Sequence, residues 1–313
     1  MGAKDTKAKE YLSDNVRFAD LCNAVLFDGE QVVKAENLEE RDTTEVLSVF
    51  GVDEKEIHIQ RWRDILKQVV VKSYGDVYFM LAGVENQADI HYAMPVKDML
   101  YDAMSYSSQV RAIARKHRQS GDYGSEAEFL SGMHRNDKLI PVLTITVYLG
   151  AKAWDAPRHL YDMFDEIDEK LRRFIPDYHI NLVVPQEIED FGRFHTTLGE
   201  VLELIKFSED KKAMKQLLAE NPKFQAIDNE SVSAINTFIG TNIPINKEGR
   251  VTDMCKAWEE IMQEEREEGR TAGRRELIEN MLLSGKTAEE VAEFANISLE
   301  EVREAESSMV TNA

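Results

Sequence analysis

The chain predicts a mixed α/β protein, with a central mixed sheet flanked by helices over roughly its first 190 residues and an α-helical C-terminal region after it. Three observations carry that expectation. Apolar runs at 65–71 and 77–84, joined by Ser73-Tyr74-Gly75-Asp76, have the length and turn chemistry of a β-hairpin. A long three-and-four periodicity then fills 95–118, and a near-continuous apolar run, 139–149, follows. From 191 only helical periodicity remains, and from 251 the composition turns charge-dense. The expected divisions are therefore a sheet domain over 1–190, a helical extension packed on it over 191–250, and a charged helical tail over 251–313.

In chain order, residues 5–29 read as one helix with an apolar stripe of Phe18, Leu21, Cys22, Val25 and Leu26, stopping at Asp28-Gly29. Residues 30–60 are polar and irregular until Glu56-Ile57-His58-Ile59-Gln60, whose alternation suits the first strand of a meander completed by 65–71 and 77–84. In the 95–118 helix, Val96, Met99, Leu100, Ala103, Met104, Val110 and Ile113 are expected to face the sheet. Lys97 and Tyr101, four apart, share another face. The 139–149 run, with Pro141 near its start, suits a central strand covered on both sides, and 178–184 is a further strand stopped by Pro185. Helices are expected within 191–221 and over 232–239. Near the end, Thr287-x-x-Glu290 and Ser298-x-x-Glu301 are capping boxes that each open a short helix.

Composition narrows the function classes. A formal charge of −20 speaks against a simple nucleic-acid binder, which is usually basic. Residues 251–313 hold 16 acidic and 7 basic side chains, so that stretch contributes −9 and the first 250 residues −11. No apolar run approaches the roughly 18–20 residues that span a bilayer, and Met1-Gly2-Ala3-Lys4-Asp5 lacks the apolar core of a signal peptide. Cys22 and Cys255 form no framework and no zinc spacing, so a reducing cytoplasm is expected and no membrane partner. The seven histidines show no metal-ligand spacing, and His195 reads as a surface or packing residue. The last two helices have the outline of a helix-turn-helix. The second, however, carries Glu300, Glu301, Glu304 and Glu306 against Arg303, a sign that phosphate repels. A packing element or homo-oligomer contact suits it better.

The chemistry concentrates between 61 and 101. Asp64 opens one strand-like run and Glu85 closes the next, so an antiparallel pair could bring both to one end of the sheet. Two carboxylates within reach of one cation make a hard-oxygen site for Mg²⁺ or Mn²⁺. Arg61, Arg63, Lys67 and Lys72 make the region locally basic, and Arg111, Arg115, Lys116, His117 and Arg118 crowd the end of the long helix. Such a helix end is either a dipole complement or a strip that contacts phosphates. Each acid also has a structural alternative: Asp64 as a turn cap, and Glu85 as a partner for Lys97.

The order Asp64, Glu85-Asn86-Gln87, then Met94-Pro95-x-Lys97-x-x-x-Tyr101 resembles the recombination-promoting nuclease (Rpn) family of transposases, within the PD-(D/E)XK nuclease superfamily. The resemblance spans roughly residues 10–250. It is supported by Gly150 with Trp154-Asp155-Ala156-Pro157 after the apolar strand and by the charged-Gly units of the tail. Asn86 stands where histidine is common, Lys97 where arginine is common, and Gln87 where the wider superfamily has lysine. The resemblance implies a PD-(D/E)XK-like fold and a metal-dependent DNA endonuclease associated with recombination or transposition. Asp64, Glu85 and Gln87 would be catalytic, and Asp64, Glu85 and the Asn86 backbone carbonyl would hold Mg²⁺ or Mn²⁺. It also implies an acid on the first helix, best matched by Asp14 and next by Asp20. Lys97 would supply positive charge and Tyr101 a hydrogen bond to phosphate, with Arg61, Arg63, Arg111 and Arg115 as DNA contacts. The alternative is a catalytically inactive nuclease-fold protein serving as an interaction or DNA-binding module.

Overall fold

The computed structural model describes residues 2–41, 44–48, 58–62, 64–73, 76–246 and 248–311, and the chain divides into two compact units, 1–252 and 253–313. The stretch 191–250 belongs to the first unit.

The single N-terminal helix expected from the sequence is two: α1 (Ala3–Ser13) and α2 (Asn15–Leu26). Asp14 breaks them. Its backbone is extended, and its carboxylate accepts from the amides of Val16 at 3.1 Å and Arg17 at 3.0 Å, an N-cap that satisfies two donors of α2. Phe18, Leu21 and Cys22 are fully buried, as the apolar stripe predicts.

Next come β1 (Leu38–Glu40), β2 (Thr44–Ser48), β3 (His58–Trp62), β4 (Ile65–Ser73) and β5 (Asp76–Gln87). The main sheet is five-stranded and mixed, in the order β1-β4-β5-β6-β7, where β6 is Val142–Tyr148 and β7 is Asn181–Val183. β4 and β5 form the expected antiparallel hairpin, with Ser73 opposite Asp76 at its closed end, residues 74 and 75 lying outside the described residues. β5–β6 and β6–β7 are parallel. The expected meander differs at its first strand. Residues 56 and 57 lie outside the described residues, and 58–62 form β3, which pairs with β2 in a separate two-stranded sheet. The neighbour of β4 is β1, drawn from the polar stretch. Only Arg63-Asp64 separates β3 from β4, and a two-residue hairpin turn favours Asn-Gly or Asp-Gly rather than that pair. β3 therefore does not fold back onto β4.

A 27-residue helix, α3 (Met94–Ser120), crosses from β5 to β6, followed by the short α4 (Glu126–Ser131). The expected apolar face of α3 is only partly the buried one: Met104 is inside, but Val96 is 39 % exposed and Ala103 is exposed. A polar stripe meets β6 instead. Asp98 accepts from the Thr146 hydroxyl at 2.6 Å and Asp102 from the Thr144 hydroxyl at 2.6 Å. The Tyr106 hydroxyl accepts from the Val142 amide at 3.0 Å, and Gln109 brackets Ile140, accepting from its amide and donating to its carbonyl. Residues 98, 102, 106 and 109 follow the helical repeat while 146, 144, 142 and 140 follow the strand repeat, so the two elements are buttoned together by a row of polar hydrogen bonds. A count of apolar residues cannot detect such a face.

β6 runs into a tight bend at Gly150, where a Cβ would meet the Tyr148 hydroxyl at 2.2 Å. That closeness lets Tyr148 pack edge-on against Trp154, centroids 5.2 Å apart, in a core with Met94, Ala156, Ile180 and Val184. The one-turn α5 (Glu169–Arg172) precedes β7. Then come α6 (Leu198–Lys206), α7 (Lys211–Glu220), β8 (Ile227–Asp228), α8 (Asn229–Ile235) and β9 (Val251–Thr252), which pairs antiparallel with β8.

The second unit is α9 (Met254–Leu283), α10 (Ala288–Ala295) and α11 (Leu299–Thr311). α9 runs unbroken through Gly269 and Gly273. Its C-terminal part joins α10 and α11 around Ile278, Met281, Val291, Val302 and Ala305. The Thr287 capping box is formed, and Arg303 pairs with Glu289 at 3.2 Å. No helix among the described residues is long and apolar enough to cross a membrane.

Candidate active site

The hairpin register builds the site. Ile65 lies opposite Val84, which sets Asp64 across from Glu85 at the open end of β4 and β5.

The two acids are tied to each other's strands. The Asp64 amide donates to Glu85 Oε1 at 3.2 Å, and the Asn86 amide donates to Asp64 Oδ2 at 3.0 Å. Both are buried, Asp64 at 9 % exposure and Glu85 at 2 %. Burial pushes the pKa of each above the ordinary carboxylate range, against the opposing pull of Lys97. The Lys97 ammonium sits 3.0 Å from Glu85 Oε2 and 5.9 Å from the Tyr101 ring centre. Gln87 turns its amide back, donating to the Asn86 carbonyl at 2.9 Å, and its own carbonyl accepts from the Leu149 amide. Asp64, Glu85, Asn86, Gln87, Lys97 and Tyr101 are thus brought to one place. An open groove of about 260 Å³ lies beside Lys97, lined by His91, Ala93, Val96, Leu100 and Tyr101. A larger cavity, about 350 Å³, between α2, β7 and the 187–194 segment is lined by none of these residues.

Other candidates are placed elsewhere. Asp14 caps α2 and acts electrostatically on Lys67, whose ammonium is buried against the Ser13 carbonyl and the Asn15 side chain. Asp20 accepts from the His195 and Thr196 amides and the Thr196 hydroxyl, holding the turn that precedes α6. The first-helix charges that act on the Asp64 carboxyl are Lys9 and Asp5. Arg61 falls on β3, and Arg63 lies outside the described residues. Arg111 and Arg115 are 14 and 18 residues beyond Lys97 on one continuous helix, so about 21 and 27 Å along its axis at 1.5 Å per residue.

Two groups escaped the sequence reading. Asp98, behind Lys97, is fully buried, and burial lifts its pKa to about 7, with Glu85 and Asp102 adding to the rise. The signal was present in Asp98 and Asp102 at i, i+4 and in Thr144 and Thr146 at i, i+2 of the following strand. The histidines, dispersed in sequence, also come together in space, and His117 and His134 meet Asp137. The spacing His134-x-x-Asp137 hints at this, but His117 comes from another element.

With this geometry in view, comparison with known protein families is decisive: the model described as "Putative transposase, YhgA-like" matches residues 60–230, more than half of the chain. The chain belongs to the YhgA-like transposase family. The matched segment begins just before Asp64 and contains Glu85, Asn86, Gln87, Lys97 and Tyr101. No curated protein and no solved structure matches the chain. For this YhgA-like member, the family suggests a nuclease-like role in transposition or recombination, with DNA as partner.

Proposed function

We propose that the chain is a divalent-metal-dependent DNA endonuclease that hydrolyses phosphodiester bonds in recombination or transposition. The observation that carries this reading is the meeting of Asp64 and Glu85, two buried carboxylates facing the Lys97 ammonium. Burial disfavours their ionised forms, and a hard divalent cation on oxygen ligands would reverse that cost. The residues therefore fit Mg²⁺ or Mn²⁺. Asp64 and Glu85 would hold it together with the Asn86 carbonyl, which keeps a second lone pair while accepting from Gln87. When bound, such an ion neutralises phosphoryl charge and lowers the pKa of its water.

The chain's own groups do the rest. Reciprocal backbone bonds hold both carboxylates at one point, so no side-chain search precedes binding. Lys97, 27 % exposed, presents the positive charge that Gln87 cannot. Gln87 orients the Asn86 carbonyl, and Tyr101 packs beside the Lys97 ammonium. Arg111 and Arg115, with Arg61 and Arg63, are the proposed contacts to flanking phosphates. A duplex lying along α3 would cover the roughly 21–27 Å from the acids to the basic helix end in less than one turn of about 34 Å.

Plasmid nicking with Mg²⁺, Mn²⁺, Ca²⁺ or EDTA tests the proposal. Asp64→Ala and Glu85→Ala are each expected to lower metal-stimulated cleavage by about a hundredfold or more, with circular dichroism unchanged. Gln87→Ala should cost less, and Gln87→Lys should retain or improve cleavage. If Asp64→Ala cuts at the parental rate, or the parent neither cuts nor binds metal, the catalytically inactive interaction or DNA-binding module takes its place. That second reading is favoured by the net charge of −20 and by Gln87 itself.

A further inference from the structure

We propose that the far end of α3 carries a second metal site, built by His117, His134 and Asp137 and suited to a divalent transition metal of the Zn²⁺ class. It is independent of the acid pair. Lys97 and His117 lie 20 residues apart on the same unbroken helix, about 30 Å at 1.5 Å per residue.

The site is assembled by the return of the chain after α3. Gly121 and Gly132 both adopt positive φ, at 64° and 71°, and reverse the backbone around α4. At Gly132 a Cβ would stand 2.6 Å from the Ala114 Cβ, so only glycine lets this segment lie so close to the helix. The return brings His134 over His117, ring centres 3.5 Å apart and tilted by 30°. His117 Nε2 meets Asp137 Oδ2 at 2.9 Å, and the His134 amide donates to the same oxygen at 2.7 Å. One ligand atom from each of the three residues lies within 4.8 Å of the other two, in half-buried surroundings. Side-chain rotation is enough to draw such a triangle onto an ion about 2.0–2.2 Å from each donor.

The surroundings suit a cation. The Asp137 carboxylate supplies an oxygen ligand already held in place by the His134 amide and the His117 ring. The other His134 ring nitrogen, Nε2, is already oriented by the Asp122 carbonyl, the kind of outer contact that sets the tautomer of a ligating imidazole. Tyr123 stands edge-on to His134 at 6.2 Å, and its buried hydroxyl has no hydrogen-bond partner. Two imidazoles and one carboxylate select Zn²⁺, Co²⁺ or Ni²⁺ over Mg²⁺, whereas the all-oxygen acid pair has the opposite preference. The two sites thus sort different ions. Occupancy here would clip the 121–137 segment to the basic end of α3.

Titration calorimetry of untagged, metal-stripped, full-length protein with Zn²⁺ tests this, with circular dichroism as the folding control. At least one equivalent is expected in the parent, with any Zn²⁺ taken up by the acid pair as a second, and one equivalent is expected to remain in Glu85→Ala. His134→Ala and His117→Gln, the latter keeping a hydrogen-bonding group toward Asp137, are each expected to weaken binding at least tenfold. Co²⁺ in place of Zn²⁺ should give visible d–d bands that the same two variants remove. If the parent binds no stoichiometric Zn²⁺, or if His117→Gln binds as tightly as the parent, the cluster is a hydrogen-bonded clasp only and the proposal falls. Loss of the Zn²⁺ equivalent in Glu85→Ala instead would place the ion on the acid pair and overturn it equally. No readout depends on DNA cleavage, so failure of the nuclease reading leaves the result interpretable.

Discussion

Asp98 shows how much one buried group can set. Its carboxyl is inaccessible, one oxygen accepts from Thr146, and the other has no partner. Burial holds its pKa at about 7 rather than the 3.8 of a free aspartate. Because the folded value lies above the unfolded one, the folded chain keeps a proton that the unfolded chain has released. The stability this group contributes is therefore fully present below about pH 4 and is lost as pH rises through about 7. Asp98→Asn removes that loss. In EDTA, the stability difference between Asp98→Asn and parent should shift in favour of the variant by on the order of 2 kcal/mol between about pH 5 and pH 8. Urea unfolding at the two pH values measures it, and a difference that does not change with pH refutes it. At this scale the sequence was informative about Asp64, Glu85, Lys97 and Tyr101, whose order and spacing carry the resemblance. It was less informative about Asp98, because the spacings of Asp98 with Asp102 and of Thr144 with Thr146 become a pairing pattern only once α3 is known to lie on β6.

Among the elements, the β4–β5 hairpin, α3 and β6 were legible from their periods, and the α1–α2 break was not. Asp14 interrupts an otherwise continuous helical pattern, and a single capping carboxylate weighs little in a period count. β1 was missed for a related reason: its three residues, Leu-Glu-Glu, join a sheet through register with Val69, Gln68 and Lys67 rather than through any apolar run of their own. The bend after β6 is the element most open to a simple test. Gly150→Ala would drive a methyl into the Tyr148 ring, with atoms at 2.2, 2.3 and 2.6 Å, and the ring cannot retreat because Trp154 backs it. The expected cost is about 1–3 kcal/mol, read as a lower denaturant midpoint with an unchanged slope. A midpoint equal to the parent's would mean that the bend relaxes freely.

For the molecule as a whole, the two compact units meet in sequence between Thr252 and Asp253. β9 ends at Thr252 and closes a ladder with Ile227 and Asp228, so the position of a truncation matters to within two residues. A chain ending at Thr252 is expected to melt cooperatively and, under the proposed function, to bind Mn²⁺ at the acid pair. One ending at Arg250 should melt at a lower temperature, having lost that ladder. Differential scanning calorimetry of both compares them, and loss of the cooperative transition in the 1–252 chain would place residues of the second unit in the first unit's core. The buttoning of α3 onto β6 also limits how such a protein can move. Sliding the helix by one turn would carry Asp98 and Asp102 about 5.4 Å past their threonines, stranding one buried and one half-buried acid. α3 is in effect a rack whose teeth permit one setting, and Lys97 is indexed to Glu85 by that setting. Under the proposed function, a nucleic acid arriving at this site would meet a gauge of constant length, and any bending needed to present a phosphate to the acids would fall to the nucleic acid.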